Sequence, residues 1–292
     1  MKTGLIVING YANYPSTNHQ VKRLLEEFSY LDTHVDVKKS TEITAYIKND
    51  LITLDLPKYD FVIFLDKDRY LSSMLEKCGY RLFNSAHSIE VCDDKMTTHL
   101  ELANTGVRMP KTIPAPLCYV DNKDYSNLDK IIEQLGLPIV VKECYGSKGA
   151  QVYLAKTKEE LILIEEKVRN RAHLFQEFVS PGGIDYRLIV INHKVVASMR
   201  RENKEDFRSN IAQGGTGECV SLSEEYIKAA EKVSKVLGLD YCGVDLLTGK
   251  EGEPLVCEVN SNAFFEGIEK ATEINVAKTY AEYILNEIKK PR

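Results

Sequence analysis

Between residues 5 and 65, short β-branched runs alternate with stretches of helical spacing, and few folds accommodate that texture. Residues 5–9 read as a strand. In 17–31, Val21, Leu24, Leu25 and Phe28 recur on one helical face. Residues 34–37 form a short strand, and a weak helix is expected around 43–51. The run 60–65 is apolar from Phe61 onward and suits a strand buried on both faces. Such alternation implies parallel strands joined by right-handed crossovers. Residues 1–85 therefore read as an N-terminal α/β domain.

After Asn84 the texture changes. Ser88 and Asp93 are the expected N-caps of two helices carrying Val91 and then Met96, Leu100 and Leu102. Thr105-Gly106 ends that stretch, and Met109-Pro110 opens the next strand. A helix over 128–135 closes at Gly136. Strands are expected at 138–143, 151–155 and 174–179, with a helix over 159–169. This portion, 86–179, reads as a central lobe. The remainder, 180–292, carries long antiparallel-looking strands at 186–191 and 195–199. A polar, Gly-rich stretch over 203–217 reads as a mobile loop. A helix over 223–237 is expected to be capped by Ser223. Strands at 242–247 and 254–260 flank a turn, and a helix closes the chain at about 276–288.

Composition narrows the function. The 292 residues are 43% hydrophobic and 28% charged, an ordinary globular balance with ample length for a buried core. Lys and Arg number 38 against 43 Asp and Glu, a formal charge of −5. No summed positive field exists to attract phosphate backbones or anionic lipid, so neither nucleic acid nor a membrane is the expected partner. The longest aliphatic or aromatic run, 61–65, is far short of a membrane span. The N-terminus reads as a strand rather than a signal peptide. Seven cysteines, an odd number without C-x-x-C spacing, fit scattered buried thiols in a reducing cytoplasm.

Four constellations carry chemistry. Asp245, Glu258 and Asn260 come from two strands flanking one turn. Glu258 and Asn260 are two apart and share a face, and the turn brings Asp245 alongside. Hard oxygen donors converging this way suit Mg²⁺. The alternative is solvent-facing strand carboxylates, although both acids interrupt strongly apolar strands, where an unpaired carboxylate is costly. Lys142 precedes Gly146-Ser147-Lys148-Gly149, a loop whose glycines let backbone N–H groups approach phosphate. It is neither a Walker A loop nor a G-x-G-x-x-G, and a plain hairpin connection stays open. Gln176-Glu177-Phe178-Val179 leads into a Pro-Gly-Gly turn and offers strand backbone groups as a purine hinge, or is an ordinary strand end. Asp185 and Arg187, Arg200 and Arg201, and Arg208-Ser209-Asn210 concentrate guanidiniums suited to anionic oxygen. They form a solvated charged face otherwise, but Arg187 stands among apolar neighbours, which favours a pocket. The histidines make no metal-binding pair, and no G-x-S-x-G occurs.

Taken in order, these segments resemble the ATP-grasp superfamily, and within it the RimK-like carboxylate–amine ligases. The matching words are Cys92-Asp93-Asp94-Lys95, Val141-Lys142 with the glycine loop, Gln176-Glu177-Phe178-Val179, Asp185-x-Arg187, Asp206-Phe207-Arg208-Ser209-Asn210, Gly243-Val244-Asp245, Glu258-Val259-Asn260 and Glu266-Gly267-Ile268-Glu269-Lys270. The likeness covers about residues 84–290; the first 83 match only in general α/β character. It implies an α/β ATP-grasp fold, with α+β lobes, behind a Rossmann-like pre-ATP-grasp domain.

The resemblance also implies roles. Lys95 and Lys142 would contact ATP phosphates, and Gly146, Ser147, Lys148 and Gly149 would close over them. Gln176, Glu177, Phe178 and Val179 would hold adenine, and Asp185 the ribose. Arg208, Ser209 and Asn210 would complete the nucleotide site. Asp245, Glu258 and Asn260 would hold two Mg²⁺ or Mn²⁺ ions. Arg201, or its neighbour Arg200, would bind an acyl phosphate, with Arg187 in the same catalytic group. The implied reaction joins a carboxylate to an amine, on small-molecule or peptide substrates in the cytoplasm, and a homo-oligomer is left open. The alternatives are a nucleotide-binding regulatory or assembly module without turnover, and another ATP-grasp phosphotransfer. One departure stands out. Where these ligases carry small, turn-forming residues after Glu-x-Asn, this chain has Ser261-Asn262-Ala263-Phe264-Phe265, putting two aromatics near the expected acceptor site.

Overall fold

The structure, a computed structural model, describes residues 2–120, 123–147, 149–210 and 214–290. Lys148, expected in the phosphate loop, lies outside the described residues. The N-terminal sheet is all parallel. Its strands β1 (Thr3–Ile8), β2 (His34–Lys39), β5 (Phe61–Leu65) and β6 (Leu82–Phe83) are ordered β2-β1-β5-β6. Helices α1 (Pro15–Tyr30) and α2 (Arg69–Lys77) cover it. Phe61 to Phe64 are fully buried, because both faces of β5 are covered.

The helix expected around 43–51 is instead a hairpin of β3 (Ala45–Lys48) and β4 (Leu51–Leu54). Asn49 and Asp50 between them have φ of 49° and 66°. Two consecutive left-handed residues make the tight turn that matches strand twist, and Asn and Asp tolerate that conformation. Two helix caps shift as well. Ser85, not Ser88, caps α3 (Ala86–Asp93), and Asp94, not Asp93, caps α4 (Lys95–Leu102). Ser88 is drawn inside its helix, where its hydroxyl binds the carbonyls of Leu237 and Gly238.

The central sheet has β7 (Thr112–Pro114), β8 (Ile139–Glu143), β9 (Val152–Ala155) and β10 (His173–Glu177) in the order β7-β10-β8-β9. Helices α5 (Asn127–Leu135) and α6 (Lys158–Val168) back it. A five-stranded antiparallel sheet follows, ordered β13-β12-β11-β14-β15. Its strands are β11 (Ile184–Ile191), β12 (Lys194–Glu202), β13 (Thr216–Cys219), β14 (Tyr241–Thr248) and β15 (Pro254–Asn260). Helix α7 (Glu224–Val236) packs on one face. Ser223 occupies its N-cap position but makes no capping side-chain bond. Helices α8 (Glu266–Thr272) and α9 (Val276–Glu287) pack on the other face with α1, so one core joins the first and last parts of the chain.

All seven cysteines are free, and Cys78 and Cys219 are exposed rather than buried, because they sit outside the apolar clusters. No helix among the described residues is long and apolar enough to cross a membrane.

Candidate active site

A cleft runs between the central sheet and the five-stranded sheet. From the central side come Lys95, Lys142, Gly146, Ser147, Gly149 and Gln151, then Gln176, Glu177, Phe178 and Val179. From the other side come Asp185, Arg208, Ser209, Asn210, Asp245, Cys257 and Glu258. The enclosed part of this cleft is about 90 Å³.

Lys142 is buried on β8. Its Nζ lies 3.4 Å from Cys257 Sγ and forms no ion pair among the described residues. Burial pushes the Cys257 thiol up, so the sulfur carries no charge to neutralise the ammonium. Lys95 opens α4. Its Nζ donates to the Gly146 carbonyl at 3.1 Å and lies 3.5 Å from Glu258 Oε1. Gly149 has φ of 72° and accepts at its carbonyl from Arg208 Nη1 at 2.8 Å. A Cβ there would meet Asn210 Oδ1 at 2.9 Å, so the glycine is required both by backbone and by space. Asp206 holds the Arg208 guanidinium at both oxygens. Gln151 Oε1 is buried without a partner among the described residues, a sign of a polar ligand on this wall.

Strand register sets the charges. Arg201 pairs with Asp185 across β12 and β11, Arg187 with Asp245 across β11 and β14, and Asp245 with Glu258 across β14 and β15. Arg187 Nε and Nη2 grip Asp245 at 2.6 and 2.5 Å. Arg201 grips Asp185 at 2.7 and 2.5 Å, and its Nη2 also reaches Asp245 at 2.9 Å. Burial alone would raise the Asp245 carboxyl, but Arg187 and Arg201 outweigh it and hold it below the usual range. Arg201 is raised despite burial by Asp245 and Asp185, so it stays charged.

After Asp245 the β14–β15 register shifts, leaving Cys257 as the extra residue. That bulge re-aims the strand, so consecutive Cys257 and Glu258 both face the cleft. Glu258, Asn260, Arg187 and Arg201 line a second, larger cavity of about 730 Å³ that reaches the N-terminal sheet. The Asn260 amide Nδ2 is buried there with no partner among the described residues.

Most sequence-predicted groups line the first cleft, Asp185 among them, whereas Arg187, Arg201 and Asn260 line only the larger cavity, which shares Ser147, Asn210 and Glu258 with the cleft. Arg200 lines neither cavity. It alternates with Arg201 to the opposite face of β12, where Glu202 and Glu218 hold it. Both oxygens of Asp185, expected at a ribose, accept from Arg201 instead. Of the two aromatics, Phe265 is fully buried in the core that joins α1 and α9, and Phe264 lines the larger cavity. Sequence reasoning missed Asn9, Asp66 and Asn262 in that cavity. The available signal for Asp66 was its place at the carboxyl end of a buried parallel strand.

Among the described residues, no group of three or more His, Cys, Asp or Glu is placed to hold a metal. Two carboxylates and an amide remain as hard oxygen donors. One Asp245 oxygen accepts a single guanidinium bond, and Asn260 can offer only its Oδ1 to a cation, its orphaned Nδ2 being a donor suited to an anionic oxygen. This set fits a Mg²⁺-like ion that keeps positions for water and phosphate oxygen.

The chain and its fold match a known class. Residues 92–284 match the model of the RimK-like ATP-grasp domain, and the chain belongs to that family. Among relatives, human N-acetylaspartylglutamate synthase A is 37% identical over 76% of this chain, and human beta-citrylglutamate synthase B is 36% identical over 82%. The chain spans 56% and 61% of the lengths of those two proteins. A solved ATP-grasp ligase, PsnB, complexed with a minimal precursor, Mg and ADP, superposes with a TM-score of 0.71 at 17% identity over 98% of each chain. The expected α/β ATP-grasp fold is thereby borne out.

Proposed function

We propose that this chain is an ATP-dependent carboxylate–amine ligase, with residues 1–85 as its pre-ATP-grasp domain and 86–179 and 180–292 as the two grasping lobes. The observation that carries the reading is the convergence of Lys95, Lys142, Asp245 and Glu258 in one cleft, with Arg187 and Arg201 gripping Asp245 from the wall of the adjoining larger cavity. Lys142, without a charged partner among the described residues, and Lys95 bind triphosphate oxygens. Backbone groups of Gly146, Ser147 and Gly149 cradle them. Gln176, Glu177, Phe178 and Val179 line the adenine end. Arg208, Ser209 and Asn210 close the opposite wall, and Asp185 orients Arg201 rather than holding ribose.

Asp245, Glu258 and Asn260 hold one or two Mg²⁺ or Mn²⁺ ions. When bound, such ions neutralise charge on the phosphate oxygens. A substrate carboxylate in the larger cavity attacks the γ-phosphate, giving an acyl phosphate and ADP. Arg187 and Arg201 border that point and stabilise the developing oxyanion. The neutral amine then forms the C–N bond, phosphate leaves with the C–O bond electrons, and the nitrogen sheds its proton to solvent. Both synthases named above carry glutamate in their names, which makes L-glutamate the first amine to try.

The test is ADP release from Mg-ATP with pairs of carboxylates and amines, combined with mass detection of the amide. Release that needs both partners and vanishes in Glu258→Ala is expected. Tight ATP binding without release from any pair would leave a regulatory module in its place, and release without amide another phosphotransfer.

A further inference from the structure

The far wall of the larger cavity is the carboxyl edge of the N-terminal sheet. Ile8 and Leu65 are register neighbours on β1 and β5, so Asn9 and Asp66 emerge side by side, at the edge where open parallel sheets bind ligands. Asn9 Nδ2 donates to Asp66 Oδ1 at 3.0 Å, and the Lys67 N–H donates to the same oxygen at 2.7 Å. The other oxygen, Oδ2, is buried with no hydrogen-bond partner among the described residues, and Asp66 as a whole is 7% exposed. Its carbonyl accepts from Asn262 Nδ2 at 3.1 Å, which fixes it beside the loop that follows Asn260.

A carboxylate oxygen withdrawn from water and left unpaired is costly, and in a cavity wall it calls for a donor from a ligand. The protein's own cations around this cavity are committed elsewhere: Lys67 to Asp93, Lys270 to Glu266 and Arg187 to Asp245. A divalent ion finds no second ligand in Asn9, whose Oδ1 already accepts from the N–H groups of Tyr11 and Ala12. An ammonium group, a compact cation that donates hydrogen bonds, fits.

We propose that Asp66 binds the ammonium of the amine substrate, which gives up a proton before its nitrogen attacks as the free amine. The inference deepens the ligase reading and rests on it. Asp66 then selects the amine before any bond is made, by admitting a protonated amine and refusing an acylated one.

The experiment compares wild type with Asp66→Asn, which keeps an oxygen for Asn9 and the Lys67 N–H. L-Glutamate and N-acetyl-L-glutamate are the probes, read by ADP release and by calorimetric binding. The KM and the calorimetric Kd for L-glutamate are expected to rise about 10- to 100-fold in the variant, with the KM for ATP unchanged. N-acetyl-L-glutamate, which lacks the ammonium, is expected not to compete in wild type. Equal L-glutamate affinity in the two proteins overturns the assignment, as does competition by the acetylated probe. So does wild-type binding to no proteinogenic amino acid. A wild type that binds L-glutamate but never releases ADP sinks the ligase reading alone, and the calorimetry still decides on Asp66. If Asp66→Asn does not fold, the acetylated probe on wild type decides.

Discussion

At the residue scale, the two neighbouring arginines on β12 separate structure from surface. Arg201 is buried between Asp185 and Asp245, so Arg201→Ala strands two carboxylates in the interior. It is expected to lose about 3–5 kcal/mol in chemical denaturation. Arg200→Ala removes half-exposed surface pairs and is expected to shift stability by no more than about 1 kcal/mol. Lys142→Met is expected to keep the fold while lowering kcat/KM by roughly 10²–10³, measured by ADP release. A pH effect belongs to His99. Burial first, and then the charge of Lys142, pull its pKa from 6.5 to about 4. The unfolded chain binds a proton there that the folded chain refuses, so stability is full above about 6.5 and declines as pH falls toward 4. The loss is on the order of 3 kcal/mol. Urea titrations across that window should show the slope, and His99→Gln should flatten it.

At the element scale, packing overrules local signals in identifiable places. Gly4 on β1 lies opposite Phe61 on β5, and a Cβ on Gly4 would stand 2.2–2.8 Å from ring atoms of Phe61. Gly4→Ala is therefore expected to cost about 1–3 kcal/mol, read from denaturant midpoints. The segment 43–51, expected as a weak helix, is turned into a hairpin by the left-handed pair Asn49-Asp50. Most other elements were legible to within a few residues, since their periodicity and their Gly, Ser and Asp punctuation are local properties. The caps of α3 and α4 were not. Ser85 and Ser88 are chemically equal candidates, and the choice falls to the carbonyls of Leu237 and Gly238 supplied from far along the chain.

At the scale of the whole molecule, the ends of the chain are tied together. Asn84 donates to the carbonyls of Tyr241 and Ser261 at 2.7 and 2.9 Å and accepts from the Tyr241 N–H at 2.9 Å. Gln20 reaches the Ala263 carbonyl from α1. Asn84→Ala should leave buried groups unpaired and lower stability by about 2–4 kcal/mol, checked by thermal and chemical unfolding. The linear order of motifs determined the kinds of donors, the strands that carry them and the family, because those depend on residue type and spacing alone. Only the tertiary structure decided that Arg201 lines the larger cavity and Arg200 does not, that Asp185 is spent on a guanidinium, and that Asp66 shares that cavity with Asn260. Strand pairing, a one-residue bulge and the packing of α1 against α9 set those distances between segments remote in sequence, and no local pattern encodes them.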